Sequence, residues 1–307
     1  MKFTDFSAIS EALSEQSIAF ETEVSLKTLS TFRIGGVAPL VITPKSIGEL
    51  IGSVLFLHGK GVPYKIIGNG SNLLFGDGTL RCVLIVTREI CEISRDGTTL
   101  TAECGASLSR LASFAAQEGL SGLAFAKGIP GTVGGAVFMN AGAYGGEMSG
   151  IVENTLALDV KAGELFTVED HAFGYRKSIY MEHPEWVCLA VNFSLTVGVR
   201  EEIEAKMREF AQSRREKQPL EYPSAGSYFK RPEGNFAGKL IEEAGLKGKR
   251  IGDAAVSEKH AGFLLNLGNA TSEEMLALEA FVRDEVASRF GVELVREVRF
   301  IPTEKEE

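Results

Sequence analysis

The sequence predicts an α+β fold in two parts. Strand-like and helix-like segments follow one another without the regular alternation that builds a parallel α/β sheet. Glycine is gathered into a few tight clusters, 34 in 307 residues, about 11% against the ~7% of an average chain. Composition changes near residue 200, where a charged helix separates a strand-rich first part from a shorter second part. With 44% hydrophobic and 24% charged residues the chain has ample material for buried cores, and composition excludes a disordered chain.

The elements are expected in this order. Residues 5–20 have the apolar spacing of a short amphipathic helix. FRIGGVAPLVITP reads as a turn into a strand, and 46–60 as a helix. YKIIGNGSNLLF gives a strand, a glycine turn and a second apolar stretch; RCVLIVT is a strand, and TTLTAECGA alternates like another. SLSRLASFAAQEGL is a helix with Leu108, Leu111, Ala115 and Ala116 on one face. The run 128–146 reads as a long glycine-rich loop, followed by strand–turn–strand in VENTLALDVKAGELFTV and further strands in EWVCLAVNFSLTVG. REEIEAKMREFAQSRREKQP is a helix with Ile203, Met207 and Phe210 on one face, stopped by Pro219 and Pro223. Beyond it come a helix over 236–245, strands near IGDAAVS and in GFLLNL, and a helix over 272–290 capped by Thr271 or Ser272 and ended by Gly291. VELVREVRFIP is a closing strand, and the tail TEKEE is expected to fray.

Several function classes fall away. Net charge is 32 − 41 = −9, which argues against a dedicated nucleic-acid binder. No run approaches the ~18 apolar residues of a membrane span. The start of the chain lacks a basic stretch followed by an apolar one, so no signal peptide is read. Cys82, Cys91, Cys104 and Cys188 form no C-x-x-C pair, which argues against a zinc or dithiol site; no metal is expected. Cys82 and Cys188 stand in apolar runs and read as small core residues, consistent with a reducing cytoplasm.

Five motifs could carry chemistry. Gly68-Asn69-Gly70-Ser71-Asn72 follows a strand and could cradle an anion with its amides, although Asn-Gly also makes plain strand-to-strand turns. It is neither a G-x-x-x-x-G-K-[ST] loop nor a G-x-G-x-x-G fingerprint. The run 128–146 holds seven glycines and a proline in nineteen residues, a density that a ligand-cradling loop explains better than a surface turn. Tyr175-Arg176-Lys177-Ser178 could be a solvated basic turn. Ser227 follows Gly226, with Lys230 and Arg231 three and four residues on, so a hydroxyl could sit beside an anion; a turn into an edge strand would look the same. Leu294, Val298 and Phe300 share one strand parity; Glu297 takes the other with Val295 and Arg299, ordinarily the exposed one. His260 reads as a hydrogen-bonded structural histidine.

The order of these blocks is more specific than any one of them. TFRIGG (31–36), GNGSNLL (68–74), GIPGTVGGAVFMNAGAYGGE (128–147), FGYRKS (173–178), AGSYFKRP (225–232) and EVRF (297–300) occur in that sequence. In this the chain resembles the UDP-N-acetylenolpyruvoylglucosamine reductases (the MurB family) of bacterial cell-wall synthesis over roughly 28–302. The short stretch from Arg176 to Lys217 resembles the subclass without an inserted tyrosine-bearing loop.

The resemblance implies a two-lobed FAD-binding domain of the vanillyl-alcohol-oxidase (PCMH) type plus a C-terminal α+β substrate-binding domain. On that reading residues 1–31 are a lead-in, 32–198 the FAD domain with lobes of about 32–87 and 88–198, and 205–302 the substrate domain. It implies NADPH-dependent reduction of UDP-N-acetylglucosamine enolpyruvate to UDP-N-acetylmuramate through non-covalent FAD, in the cytoplasm, by an enzyme needing neither nucleic acid nor membrane, with a monomer expected. FAD would be held by Gly68, Asn69, Gly70, Ser71, Asn72, Gly131, Thr132, Gly134, Gly135, Asn140, Gly142 and Ala143. Ser227 would give a proton to the substrate α-carbon, and Arg176 and Glu297 would flank its carboxylate. Lys217, Lys230 and Arg231 would meet the UDP portion, the family varying at the position of Arg231. Two other readings share the flavin module: an FAD-dependent oxidase, and a non-catalytic flavin electron-transfer subunit. Neither needs the trio Arg176, Ser227 and Glu297.

Overall fold

The protein is described from a computed structural model, over residues 6–15 and 17–304. The chain forms two compact units, neither of them one continuous stretch.

The first unit takes residues 1–21, 40–69 and 82–213. Helix α1 (Ser7–Glu15) buries Ile9 and Leu13; it is shorter than the expected 5–20, since the chain turns and enters the strand Phe20–Ser25, and residue 5 lies outside the described residues. Helix α2 (Ile47–Gly59) begins at Ser46, whose side chain accepts from the Glu49 amide. It lays Leu50, Val54 and Leu57 over the strands Val37–Ile42, Val83–Val86 and Tyr64–Ile67, which run parallel in that order. All four residues of Val83–Val86 are buried, as a strand covered on both faces requires.

A second sheet is antiparallel, in the order Glu164–Val168, Val152–Asp159, Trp186–Ser194, Thr99–Glu103, Ile93–Asp96. Along Trp186–Ser194 every second residue is buried: Val187 and Leu189 join the core of the parallel sheet, and Val191 and Phe193 a separate core. That second core is closed by α3 (Leu108–Gln117), with Leu108, Leu111, Ala115 and Ala116 buried as expected, and by α4 (Val133–Met139). Helix α5 (Arg200–Lys217) adds Ile203 and Met207, with Phe210 partly buried.

At two places the structure departs from the sequence reading. The run 128–146 is not loop throughout, because Val133, Ala136 and Val137 give α4 a buried face despite Gly134 and Gly135. Ile93–Asp96 was not foreseen as a strand; its residues are largely exposed and an edge position supplies its pairing.

The second unit takes residues 22–39, 70–81 and 214–307, so the compact boundary falls inside α5 at Ser213/Arg214, later than the composition change near 200. One core serves it, drawn from three stretches of chain: Phe32 and Ile34, Leu74, and residues 225–298. Helices α6 (Ala237–Glu243) and α7 (Ser272–Phe290) pack beside a small antiparallel sheet, Arg250–Ile251, Ala254–Val256 and Leu264–Asn266. The closing strand is regular only over Arg299–Ile301, where it runs parallel to Leu73–Phe75. The tail does not fray at its start. Thr303 Oγ1 accepts from the Gly78 amide, Glu304 exchanges two backbone bonds with Thr79, and Arg81 pairs with the Glu304 carboxylate. Residues 305–307 lie outside the described residues.

Candidate active site

In the first unit three of the motifs meet. The turn after Tyr64–Ile67 packs on the glycine-rich run: a Cβ on Gly68 would fall inside the Thr132 side chain, and Asn69 Nδ2 donates to the Pro130 carbonyl at 3.0 Å. Arg88, which the sequence gave no reason to single out, donates from Nε to the Gly68 carbonyl at 3.3 Å. The run then crosses Cys104–Ala106, with the Val133 and Gly134 amides donating to the Ala106 and Cys104 carbonyls, both at 2.8 Å. Helix α4 ends at Asn140 in the left-handed conformation, φ 41°. Asn140 is buried; its Nδ2 donates to the Gly174 carbonyl at 3.0 Å and its Oδ1 accepts from the Ser149 amide at 2.9 Å.

The YRKS turn is thereby docked on the glycine-rich run. Ser178 Oγ donates to the Phe138 carbonyl at 2.8 Å. The Arg176 guanidinium lies 3.5 Å from the Asn140 carbonyl and 3.4 Å from that of Gly142, both long, and 5.1 Å from the Tyr175 ring. Behind the turn, Thr155 Oγ1 contacts Tyr180 Oη at 2.6 Å and His171 Nε2 at 3.1 Å. Burial lowers the His171 pKa, keeping the ring neutral at pH 7.

The structure gives a more exact account of the glycines than density alone. At Gly68, Gly142 and Gly146 a Cβ would collide with the protein itself, with Thr132, Glu147 and the Phe125 ring respectively. Close packing of the loop on its neighbours therefore explains these three. Gly135 is different: it is exposed, and a Cβ there would meet only Thr132 Oγ1, at 3.3 Å. The amides of Gly131 and Gly135 donate to no acceptor among the described residues. Small residues with spare amides are the donor set that a diphosphate needs, so this face fits the implied FAD.

In the second unit three motifs meet on one peptide. Gly70, at φ 61°, backs onto Leu29 so closely that no Cβ would fit, and its carbonyl accepts from the Thr31 amide at 3.4 Å. Asn72 Nδ2 donates to the Glu297 carbonyl at 3.3 Å, and the Asn72 carbonyl accepts from the Arg299 amide at 2.9 Å. The segment after Ser227 runs antiparallel to 295–298: Phe229 stands opposite Arg296, and the Lys230 amide donates to the Val295 carbonyl at 2.8 Å. The amides of Glu297 and Val298 both point at the Tyr228 carbonyl, at 2.8 and 3.5 Å. Two residues facing one is the pattern of a β-bulge, which re-aims side chains. Ser227 is exposed and Glu297 half-buried; Leu294 and Val298 are buried, as the parity required.

The cations are more dispersed. Lys230 is half-buried beside this pairing. The Arg231 guanidinium lies 4.5 Å from the Phe236 ring, and Lys217 is exposed in the last turn of α5. His260 is a turn residue: its Nδ1 accepts from the Gly262 amide at 3.1 Å, and burial lowers its pKa. The cysteines are all free, with burial pushing Cys82 up to about 11 and Cys188 to about 12, so both stay protonated and inert. Among the described residues no three His, Cys, Asp or Glu side chains gather as a metal site, and no helix is long and apolar enough to cross a membrane.

Both parts of the chain match known proteins. Residues 38–166 match the model of an FAD binding domain, and residues 218–301 match that of the UDP-N-acetylenolpyruvoylglucosamine reductase C-terminal domain. A UDP-N-acetylenolpyruvoylglucosamine reductase of Caldanaerobacter subterraneus subsp. tengcongensis is 47% identical over 277 residues, 90% of this chain and 91% of that protein. UDP-N-acetylenolpyruvoylglucosamine reductase 2 of Bacillus cereus is 44% identical over 283 residues, 92% of each chain. The crystal structure of UDP-N-acetylenolpyruvylglucosamine reductase from Thermus caldophilus superposes with a TM-score of 0.79 at 36% identity, covering 93% of this chain and 100% of that one. With both parts matched in order and identity well above 30% across nine-tenths of its length, the chain belongs to the UDP-N-acetylenolpyruvoylglucosamine reductase family.

Proposed function

We propose that the chain reduces UDP-N-acetylglucosamine enolpyruvate to UDP-N-acetylmuramate with NADPH, using non-covalent FAD, as a step in peptidoglycan precursor synthesis. One observation carries the reading of its site. GNGSN, AGSYFK and EVRF, far apart in sequence, converge on the backbone of Glu297, which also pairs with the peptide following Ser227. A chain that only carried a flavin would have no need to hold these three motifs together.

Bound FAD would relay hydride from NADPH to the β-carbon of the enolpyruvyl ether. The chain's own residues do the rest. The amides of Gly131 and Gly135, with Gly68, Asn69, Gly70, Ser71, Asn72, Thr132, Gly134, Asn140, Gly142 and Ala143 shaping the surface, hold the cofactor. Ser227 delivers a proton to the substrate α-carbon. Arg176 presents a planar fork to the substrate carboxylate and gains interaction as negative charge builds there; Glu297 flanks the same carboxylate. Lys217, Lys230 and Arg231 hold the UDP diphosphate. Residues 32–198 act as the flavin module and 205–302 as the substrate domain. Four free thiols support a reducing cytoplasm as the setting, and we take the working unit to be a single chain.

Anaerobic spectroscopy tests this. The flavin band of the purified protein should bleach with NADPH and return on adding the enolpyruvyl nucleotide sugar, without oxygen. In Ser227→Ala the bleaching should keep its rate while the return slows ~10²–10⁴-fold. A band that returns only with oxygen would sink the reductase reading, and equal slowing of both phases would remove Ser227 from its role.

A further inference from the structure

Helix α7 carries one acid among its core residues. Met275, Leu278, Val282 and Val286 are buried, and Glu279 is only 6% exposed. Its Oε2 accepts hydrogen bonds from the Tyr228 hydroxyl at 2.8 Å and the Arg296 guanidinium at 3.2 Å; Arg283 approaches Oε1 at 3.9 Å. Tyr228 is wholly buried, and burial beside Glu279 raises its pKa, so the hydroxyl keeps its proton and remains a donor.

Packing alone does not require these polar groups. Phenylalanine would fill the ring volume of Tyr228, and an aliphatic residue that of Glu279, without taking a carboxylate and a phenol out of water. What the network does is geometric. Tyr228 directly follows Ser227, and Arg296 directly precedes Glu297. The segments bearing them are short and joined by few backbone bonds. At the bulge the Tyr228 carbonyl faces two successive amides, those of Glu297 at 2.8 Å and Val298 at 3.5 Å, so few backbone bonds fix how the two segments lie. Side-chain bonds from both segments to one buried carboxylate on a helix add to that fixing.

We propose that Glu279 is a positioning residue: through Tyr228 and Arg296 it holds the segments carrying Ser227 and Glu297 in one register, and so sets where the proton donor stands relative to the glutamate that flanks the substrate carboxylate. The proposal rests on the roles given to Ser227 and Glu297 above.

Tyr228→Phe removes one hydroxyl and keeps the ring, and is the primary test; Glu279→Gln, which retains an acceptor, is the second. Both variants should retain FAD and melt near the parent temperature. Bleaching by NADPH should be unchanged. The anaerobic return on mixing with the enolpyruvyl nucleotide sugar should slow about ten- to a hundredfold in Tyr228→Phe, the scale of an ångström-sized misplacement, and less in Glu279→Gln. Its solvent deuterium isotope effect should rise as proton delivery becomes limiting, with substrate affinity unchanged. In a Ser227→Ala background Tyr228→Phe should cost nothing further, because the effect acts through Ser227. If Ser227→Ala slows the return selectively but Tyr228→Phe leaves it unchanged, or slows both phases alike, the positioning role is overturned and the site stands. If Ser227→Ala shows no selective slowing, the reading of the site falls, and the positioning role with it.

Discussion

Three non-glycine residues of the first unit's motif cluster hold left-handed backbone: Asn140 at φ 41°, Tyr144 at 52° and Arg176 at 54°. Each costs of order 1 kcal/mol that glycine would avoid. At Asn140 the side chain repays this with two hydrogen bonds that tie α4 to its neighbours. At Arg176 the bonds to the Asn140 and Gly142 carbonyls are long, at 3.5 and 3.4 Å, and its placement is what the turn maintains. Arg176→Gly is therefore expected to leave the melting temperature level or slightly higher while kcat/KM drops ~10²–10³-fold, the usual loss on removing one donor to developing charge. Arg176→Ala should lose the same activity with no gain in stability. A melting temperature several degrees lower in the glycine variant would show instead that the guanidinium serves the fold.

Among the elements, α7 bears most directly on the second unit, since it carries Glu279. Its start is heavily capped. Thr271 Oγ1 accepts from the Glu274 amide at 3.1 Å while Glu274 accepts from the Thr271 amide at 3.1 Å, and Asp77 accepts from the Ser272 amide and hydroxyl. Its end is Gly291 at φ 67°. Both limits were legible as T-S-x-E before an apolar run and a glycine after it; the contribution of Asp77, 195 residues away, was not. Thr271→Ala should cost about 1 kcal/mol, seen as a melting temperature ~2–4 °C lower, and Thr271→Ser should recover most of it. No change would mean that Asp77 alone satisfies the helix start. By contrast α4 is not legible in the sequence, where glycine density masks the positions Val133, Ala136 and Val137 that the fold buries.

At the scale of the whole molecule, each unit is assembled from separated stretches of chain, so the ends matter to distant parts. The expectation of a frayed tail fails at Thr303 and Glu304 for this reason, residues 305–307 lying outside the described residues: the polar composition of TEKEE says nothing about backbone partners at Gly78 and Thr79. Three backbone-centred bonds link Thr303 and Glu304 to Gly78–Thr79, at 2.7 to 3.0 Å. At about 0.5–1.5 kcal/mol each, ending the chain after Pro302 should lower stability by roughly 2–4 kcal/mol, read from the urea midpoint at unchanged slope. Ending it after Glu304 should retain those bonds and the midpoint. Equal midpoints for the two truncations would show that the pairing adds nothing in solution.

The sequence by itself determined the α+β class, most helix and strand positions, and the identity of the motifs, because hydrophobic period, cap residues and glycine placement are local properties written in neighbouring residues. Through the order of six motif blocks it singled out Ser227, Arg176 and Glu297 as the residues proposed to act, and it predicted which parity of 294–300 would be buried. Tertiary structure alone decided which motifs touch: Gly68 against Thr132, Asn140 against Gly174, Asn72 and Tyr228 on the Glu297 backbone. It alone showed that several glycines are required by the protein's own close packing, and that the acid at 279 is buried and bonded to both of the segments that carry Ser227 and Glu297. The physical reason is range. Propensity and capping act over a few residues, whereas a hydrogen bond or a steric limit between residues 17 to 225 apart exists only once the chain has closed on itself.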